Sequence, residues 1–323
     1  MRDRSKAVRE GAKMIVLTVI LVLLTYYVPF LSGFGMFVCG IPMAALAARN
    51  GLKAALPAVL GIFAVSVIVM GSPLAALSTV LMSVLPGLAA GYCMGKDKPF
   101  FATLSACCLT LCAGWLLELF AVDKLLTGQG VEEMIKEAAK QFEDMMNAVI
   151  GSYASKSADG AKLAETVKAM VAAAEYMIKL YFPSMVILMS AAVGYAVVRL
   201  SGFVLRRTKI KDADTVLFSQ MKAPRSMAYT AVALYVAVLF MKSGSPVWSV
   251  TANAVFVLFA LIGVCGLSLA DYKLRAKIRS GGARAAIYAA VFFFGGFLFI
   301  IAAYVLIFMG LFDSTRNYRG ISD

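Results

Sequence analysis

Nine apolar stretches, divided by short polar loops, leave this chain few places to fold other than a lipid bilayer. They run Met14–Phe30, Phe34–Ala48, Ala54–Met70, Leu74–Cys93, Phe100–Val122, Met177–Val198, Met227–Met241, Val247–Leu269 and Ala285–Leu311. A helix needs about 20 apolar residues to cross the hydrocarbon core. Most of these stretches approach or exceed that length; Phe34–Ala48 and Met227–Met241 are short and need flanking residues to complete a crossing. Backbone polar groups in hydrocarbon must pair within the segment, so the expected elements are helices. Composition agrees: 61% of residues are hydrophobic and the mean hydropathy is +0.84, above the roughly 45–50% apolar content of soluble domains. The expected fold is all-α, a polytopic transmembrane bundle of about nine spans.

The net charge of +13 follows from topology. With the N-terminus inside and sides alternating, 21 of the 31 basic residues fall in inner segments, the bias that orients membrane helices. Dropping either short stretch reverses the sides of the loops after it. The C-terminus is then expected outside, and nucleic acid is not an expected partner. The first stretch ends in Tyr26, Tyr27, Pro29 and Phe30 without a small-residue cleavage site, so it reads as a retained helix.

Chemistry is sparse. Histidine is absent, which removes the commonest general base and metal ligand. The six cysteines lie in or at the ends of apolar stretches, where free thiols pack as small hydrophobes. Cys108 and Cys112 share a helix face without further ligands, so no metal and no cofactor are expected. No phosphate-binding loop, H-E-x-x-H or G-x-S-x-G pattern occurs. The expectation is a non-enzyme without its own ATPase.

Four regions follow: a five-helix unit over 1–122, an outer insert over 123–176, a sixth span within 177–205, and residues 206–323 as a basic loop with three further spans. In the insert Val131, Met134, Ile135, Ala138, Phe142, Met145, Met146 and Val149 recur at helical spacing, opposite a charged face. A second stripe, Leu163, Val167, Met170, Val171 and Ala174, leads into the sixth span. An outer amphipathic hairpin is expected, its second arm continuous with the membrane helix. It either packs on the bundle or covers an outward cavity.

Candidate binding residues are few. Glu118 is the acidic residue inside an expected span, about 6 Å below the outer interface at 1.5 Å per residue. Intramembrane carboxylates are costly and often functional; at this depth pairing with Lys124 would serve equally. Ser83, Gly87, Gly91 and Gly95 put a small residue at every fourth position of the fourth span. They either let a neighbouring helix approach or wall a flat ligand, Gly87 and Gly91 being the central pair. Asn253, in the eighth span, could orient a ligand or bond between helices. Pro42, Pro57 and Pro86 predict kinks. The loop Arg206-Arg207-Thr208-Lys209-Ile210-Lys211 could meet lipid phosphates or a protein partner.

Gly71-Ser72-Pro73-Leu74-Ala75-Ala76-Leu77 and Leu85-Pro86-Gly87-Leu88-Ala89-Ala90-Gly91, after the run Ala45–Lys53, resemble the YybS-like bacterial membrane proteins. Phe218-Ser219-Gln220-Met221-Lys222-Ala223-Pro224-Arg225 is similar to that family's element before a helix, with Met221 in place of an aromatic and Ala223 in place of leucine. The resemblance covers nearly the whole chain, implies a bacterial plasma membrane and lends no catalytic residues. The first six spans are also distantly similar to the substrate-binding S subunits of energy-coupling-factor transporters. Those bind small molecules near the outer face and rely on separate ATPases. Their Ala-x-x-x-Ala element belongs on the first helix; here Ala44 and Ala48 on the second span give that spacing.

Two functions are therefore expected to compete. One is solute binding or transport, with Glu118, Gly87, Gly91 and Asn253 around a small molecule. The other is a scaffold that engages envelope proteins through its hairpin and cytoplasmic loops.

Overall fold

The computed structural model describes residues 2–119, 128, 130–154, 160–213, 216–294 and 297–320. These residues form helices, turns and loops with no strand, an all-α membrane bundle. Among the described residues six helices are long and apolar enough to cross a bilayer: Arg9–Tyr27, Leu52–Met70, Pro73–Gly95, Phe100–Leu119, Glu165–Arg207 and Pro246–Arg275. Apolar side chains on their outer faces, such as Leu60, Ile68 and Leu109, stay exposed, as lipid-facing residues must. The chain divides into two compact units, Met1–Thr215 and Val216–Asp323.

In the first unit α1 spans Arg2–Tyr27. The short second stretch is broken into α2 (Pro29–Ser32), α3 (Gly35–Val38) and α4 (Ile41–Asn50). It still runs antiparallel to α1 over the same depth. At one end Thr25 Oγ1 lies 3.5 Å from Cys39 Sγ. At the other, Glu10 pairs with Arg49 at 3.2 Å and accepts from Asn50 Nδ2 at 3.2 Å. Pro42 costs α4 nothing, because it occupies the first turn, where its missing donor would have no partner.

Helix α5 (Leu52–Met70) returns parallel to α1, with Tyr27 Oη donating to Val69 O at 2.7 Å. The Gly71-Ser72-Pro73 motif is a stop and a start. Gly71 ends α5 at φ +63°, a left-handed cap that glycine adopts freely. Ser72 then caps α6 (Pro73–Thr79), its hydroxyl accepting from Ala75 N at 3.2 Å.

Between α6 and α7 (Leu85–Gly95) the fourth span widens into a π turn over Val80–Val84. Pro86 has no N–H to offer the carbonyl one turn back, so the ladder shifts register and Leu85 N bonds Val80 O. Helix α8 (Phe100–Leu116) ends in a second wide turn at 117–119.

The insert is the expected hairpin: α9 (Val131–Ala154) folds back on α10 (Gly160–Arg207), a helix of 48 residues that is both second arm and sixth span. Val167 and Val171 are buried against Ala139 and Met146. Residues 155–159 lie outside the described residues, as does Lys124, the partner expected for Glu118. Beyond α10 the chain closes with Ile210 N on Leu205 O at 3.0 Å, and Lys211 Nζ meets Asp97 at 2.7 Å. These contacts hold residues 208–213 with the first unit, which ends at Thr215.

The second unit holds α11 (Arg225–Phe240), α12 (Pro246–Arg275), α13 (Gly281–Phe294) and α14 (Phe297–Arg316). Here the expectation of one ninth span, Ala285–Leu311, is corrected: the stretch is two helices. Gly295 and Gly296 lie outside the described residues. Helix α14 runs parallel to α12. Gly310 packs against the Ile262 carbonyl and Gly263 against Ile307, and past the helix end Arg319 reaches Ser268. Residues 317–320 therefore lie at the same end of this unit as residues 218–221. That loop in the cytoplasm and a C-terminus outside do not hold together.

Candidate functional site

Glu118 lies in the wide turn at 117–119, half-buried. Ser78 Oγ on α6 donates to its Oε1 at 2.5 Å. One turn earlier, Gly114 brings α8 close to the fourth span: a methyl there would sit 3.1 Å from Leu81 O. The π turn at Val80–Val84 thus packs against α8 one turn before the turn that carries Glu118. Among the described residues no lysine or arginine forms an ion pair with Glu118. A carboxylate has about four acceptor positions, and Ser78 occupies one. This arrangement suits an amine, a cation or a hydroxylated solute. Among the described residues it holds no nucleophile–base pair.

Gly87 and Gly91 serve packing. Each faces the backbone of the second span, Gly87 against Gly40 and Gly91 against Ala44, with Gly95 against Ala48 below. A side chain at Gly87 or Gly91 would overlap a carbonyl of α4 or the residue before it. The small-residue face is filled by a parallel helix rather than open to a ligand. Ser83 Oγ donates to Gly35 O at 3.2 Å and Cys107 Sγ to Pro86 O at 3.6 Å, closing the groups around the kink.

Asn253 belongs to the second unit. Its Nδ2 donates to Ser249 O at 2.9 Å within α12. Asn253 therefore lies in a different unit from Glu118, Gly87 and Gly91.

Sequence reasoning missed the most elaborate polar cluster. Arg319, with its side chain fully buried, uses all five guanidinium donors. Nε and Nη2 donate to Asp313 Oδ2 at 3.0 and 2.6 Å; Nη1 donates to Ser219 O and Ser268 Oγ at 2.8 Å each; and Nη2 also reaches Met221 O at 2.8 Å. Ser268 Oγ in turn donates to Phe218 O at 2.6 Å. The three carbonyls come from the Phe218–Arg225 element quoted above, which thus acts as a clasp for the chain's last turn. Nearby in sequence, Asp271 Oδ1 accepts from Arg284 Nε at 2.7 Å and from Tyr288 Oη at 3.2 Å. The acids were overlooked because each lies two residues beyond an apolar stretch, where a charge reads as solvated. The available signal was the pairing of Asp313 with Arg319 six residues later, together with a polar motif that no other role explained.

Among the described residues no three potential ligands gather for a metal ion. The cysteines are free.

The chain is 23% identical over 282 residues to the uncharacterized protein YybS of Bacillus subtilis, covering 85% of this chain and 86% of that one. No solved structure matches. A family model described as "Predicted membrane protein (DUF2232)" matches residues 16–314, and the chain belongs to that family of membrane proteins.

Proposed function

We propose that this membrane protein binds a small solute at the outer end of its first unit, as a transport-type component without its own ATPase. The observation that carries the reading is Glu118, a carboxylate held by Ser78 between two widened helical turns. Wide turns of this kind recur at functional sites, and ionisable groups in membrane helices mark ligand or ion paths. The role requires no catalytic residue. Mass spectrometry of small molecules that copurify with the protein, repeated on Glu118→Gln, tests it: one species should be enriched with wild type and depleted with the variant. Equal recovery from both removes Glu118 from any solute site.

The rival role, a scaffold for other envelope proteins, draws support from the closed glycine seam between α4 and α7. A bundle packed backbone to backbone needs no cavity to be useful.

The topology that fits the second unit has ten crossings, with α13 and α14 each making one and the C-terminus in the cytoplasm. It moves Arg316 and Arg319 to the basic side, in keeping with the positive-inside bias. A cysteine introduced at Gly320 in a cysteine-free variant should escape an impermeant thiol reagent in intact cells and react after permeabilisation. Labelling in intact cells restores an outer C-terminus.

A further inference from the structure

We propose that the inner end of the first unit is a binding site for anionic phospholipid headgroups, seated between the α7–α8 loop and the end of α10. The two segments are distant in sequence and are joined by the Lys211–Asp97 ion pair at 2.7 Å. That pair consumes the one carboxylate of the loop Lys96-Asp97-Lys98. Both segments are folded tightly onto helix ends. Asp97 and Lys209 adopt left-handed φ values of 54°. Lys98 N bonds Cys93 O at 3.0 Å, and Ile210 N bonds Leu205 O at 3.0 Å. Five cations, Lys96, Lys98, Arg206, Arg207 and Lys209, remain exposed around this junction; among the described residues the exposed carboxylates there are Asp212 and the already paired Asp97.

Two further observations turn this charge toward a lipid. Helix α8 begins beside the loop at Phe100 after Pro99, and no side chain caps its first turn. Its N–H groups and the positive end of its dipole meet the same space as Lys98, an arrangement that favours phosphate oxygens. The depth is also marked. Phe101 and Phe203 are each 54% exposed on otherwise apolar helices, and Arg207 stacks over Phe203 at 6.0 Å. Exposed aromatic rings sit at the boundary between hydrocarbon and headgroups, so cations one turn away lie at phosphate level. Clusters of four or more basic residues immediately beyond a membrane helix attract anionic lipid, each contributing about a fivefold gain in binding. Soluble phosphate has no reason to prefer a site flanked by exposed rings. A phospholipid satisfies both halves.

The test is native mass spectrometry of the detergent-solubilised full chain, titrated with phosphatidylglycerol or phosphatidylcholine. The variant carries Lys96→Gln, Lys98→Gln and Arg207→Gln and keeps Lys211 and Asp97. Wild type should retain phosphatidylglycerol over phosphatidylcholine, and the variant should bind phosphatidylglycerol about 100-fold more weakly, from three cations removed. Its melting temperature without lipid should match wild type, because the substituted side chains are exposed. Equal retention of both lipids by wild type, or unchanged retention of phosphatidylglycerol by the variant, overturns the proposal. Inorganic phosphate displacing phosphatidylglycerol at millimolar concentration overturns the lipid assignment in favour of a free-phosphate site. A variant that melts earlier is replaced by the single change Lys98→Gln, for which a loss of about fivefold is expected and no loss counts against the site.

Discussion

The two units join helices by the same device and secure their ends by opposite ones. In the first, Gly87, Gly91 and Gly95 lay the fourth span along Gly40, Ala44 and Ala48 of the second. In the second, Gly266 and Gly310 lay α14 along α12, against the carbonyls of Leu306 and Ile262. Lipid offers no hydrophobic drive for such pairs, so close van der Waals approach has to supply it. At the ends the units diverge. The first relies on partly exposed contacts: Glu10 with Arg49, Glu132 with Lys179, and Ser78 with Glu118. The second buries a complete ion pair, Arg319 with Asp313. A buried pair gains little net stability over apolar residues of the same shape, yet removing one partner is costly. It therefore acts as a registry device, tolerating one arrangement of α14 against the 218–221 turn. The first unit leaves Glu118 held by one hydroxyl, Ser78, rather than by a buried ion pair.

Removing the guanidinium should produce the largest effect. Arg319→Met leaves the Asp313 carboxylate and three acceptor groups buried without their donor, at a cost of about 3–5 kcal/mol. Thermal unfolding in detergent should show a large drop, with the second unit losing protection first in hydrogen exchange. Combining Arg319→Met with Asp313→Leu should recover much of that loss, because no orphaned charge remains. A single variant as stable as wild type would erase the contrast between the units.

The glycine seams come next. Gly91→Leu drives a side chain into the Ala44 backbone, and overpacking of this kind costs about 1–3 kcal/mol or more. Gly310→Leu should do the same against Ile262. Gly61→Ala meets only the end of the Ile15 side chain, which can turn aside, and should shift stability far less. If Gly91→Leu melts with wild type, the parallel contact between α4 and α7 is wrong.

The seam of the fourth span was legible in the sequence because its signal is local: a small residue every four positions can be read from one helix. The helix breaks at Gly71-Ser72-Pro73 and the long helix through the hairpin were legible for the same reason. The role of Gly87 and Gly91 needed the partner helix, since a smooth face suits a neighbour or a ligand equally. The Arg319 cluster was illegible for a different reason. Its residues are about 100 positions apart in the case of Ser219 and Arg319, and a charge beyond an apolar stretch is indistinguishable from a solvated end until the chain folds back.

Glu118→Gln should separate ligand binding from stability. Glutamine keeps the volume and can still accept from Ser78, so the melting temperature of the solute-free protein should move little, within about 0.5 kcal/mol. The shift induced by the copurified solute should fall sharply. A large loss of intrinsic stability would instead make Glu118 an anchor, and the first unit would resemble the second in using its charge for structure.

The smallest effect is expected at the hairpin. The Lys136 and Lys179 ammonium groups beside Glu132 hold its carboxyl below the usual carboxylate range. A depressed value in the folded state means the pair's contribution is present above the ordinary glutamate pKa, about 4.3, and disappears as pH falls through the lower folded value. The site is exposed, so salt should weaken it as well. Lys179→Ala removes the cation that joins the two arms and leaves the i,i+4 pair with Lys136 intact. Hydrogen exchange over 131–154 should then quicken modestly at neutral pH and low salt, and the difference from wild type should vanish once the pH falls below the lowered folded value of Glu132, or at about 1 M salt. Exchange over 297–316, measured in the same samples, should ignore moderate salt because the Arg319 pair is closed to solvent. If both segments respond to salt alike, the units are pinned by the same kind of contact and the distinction between them fails.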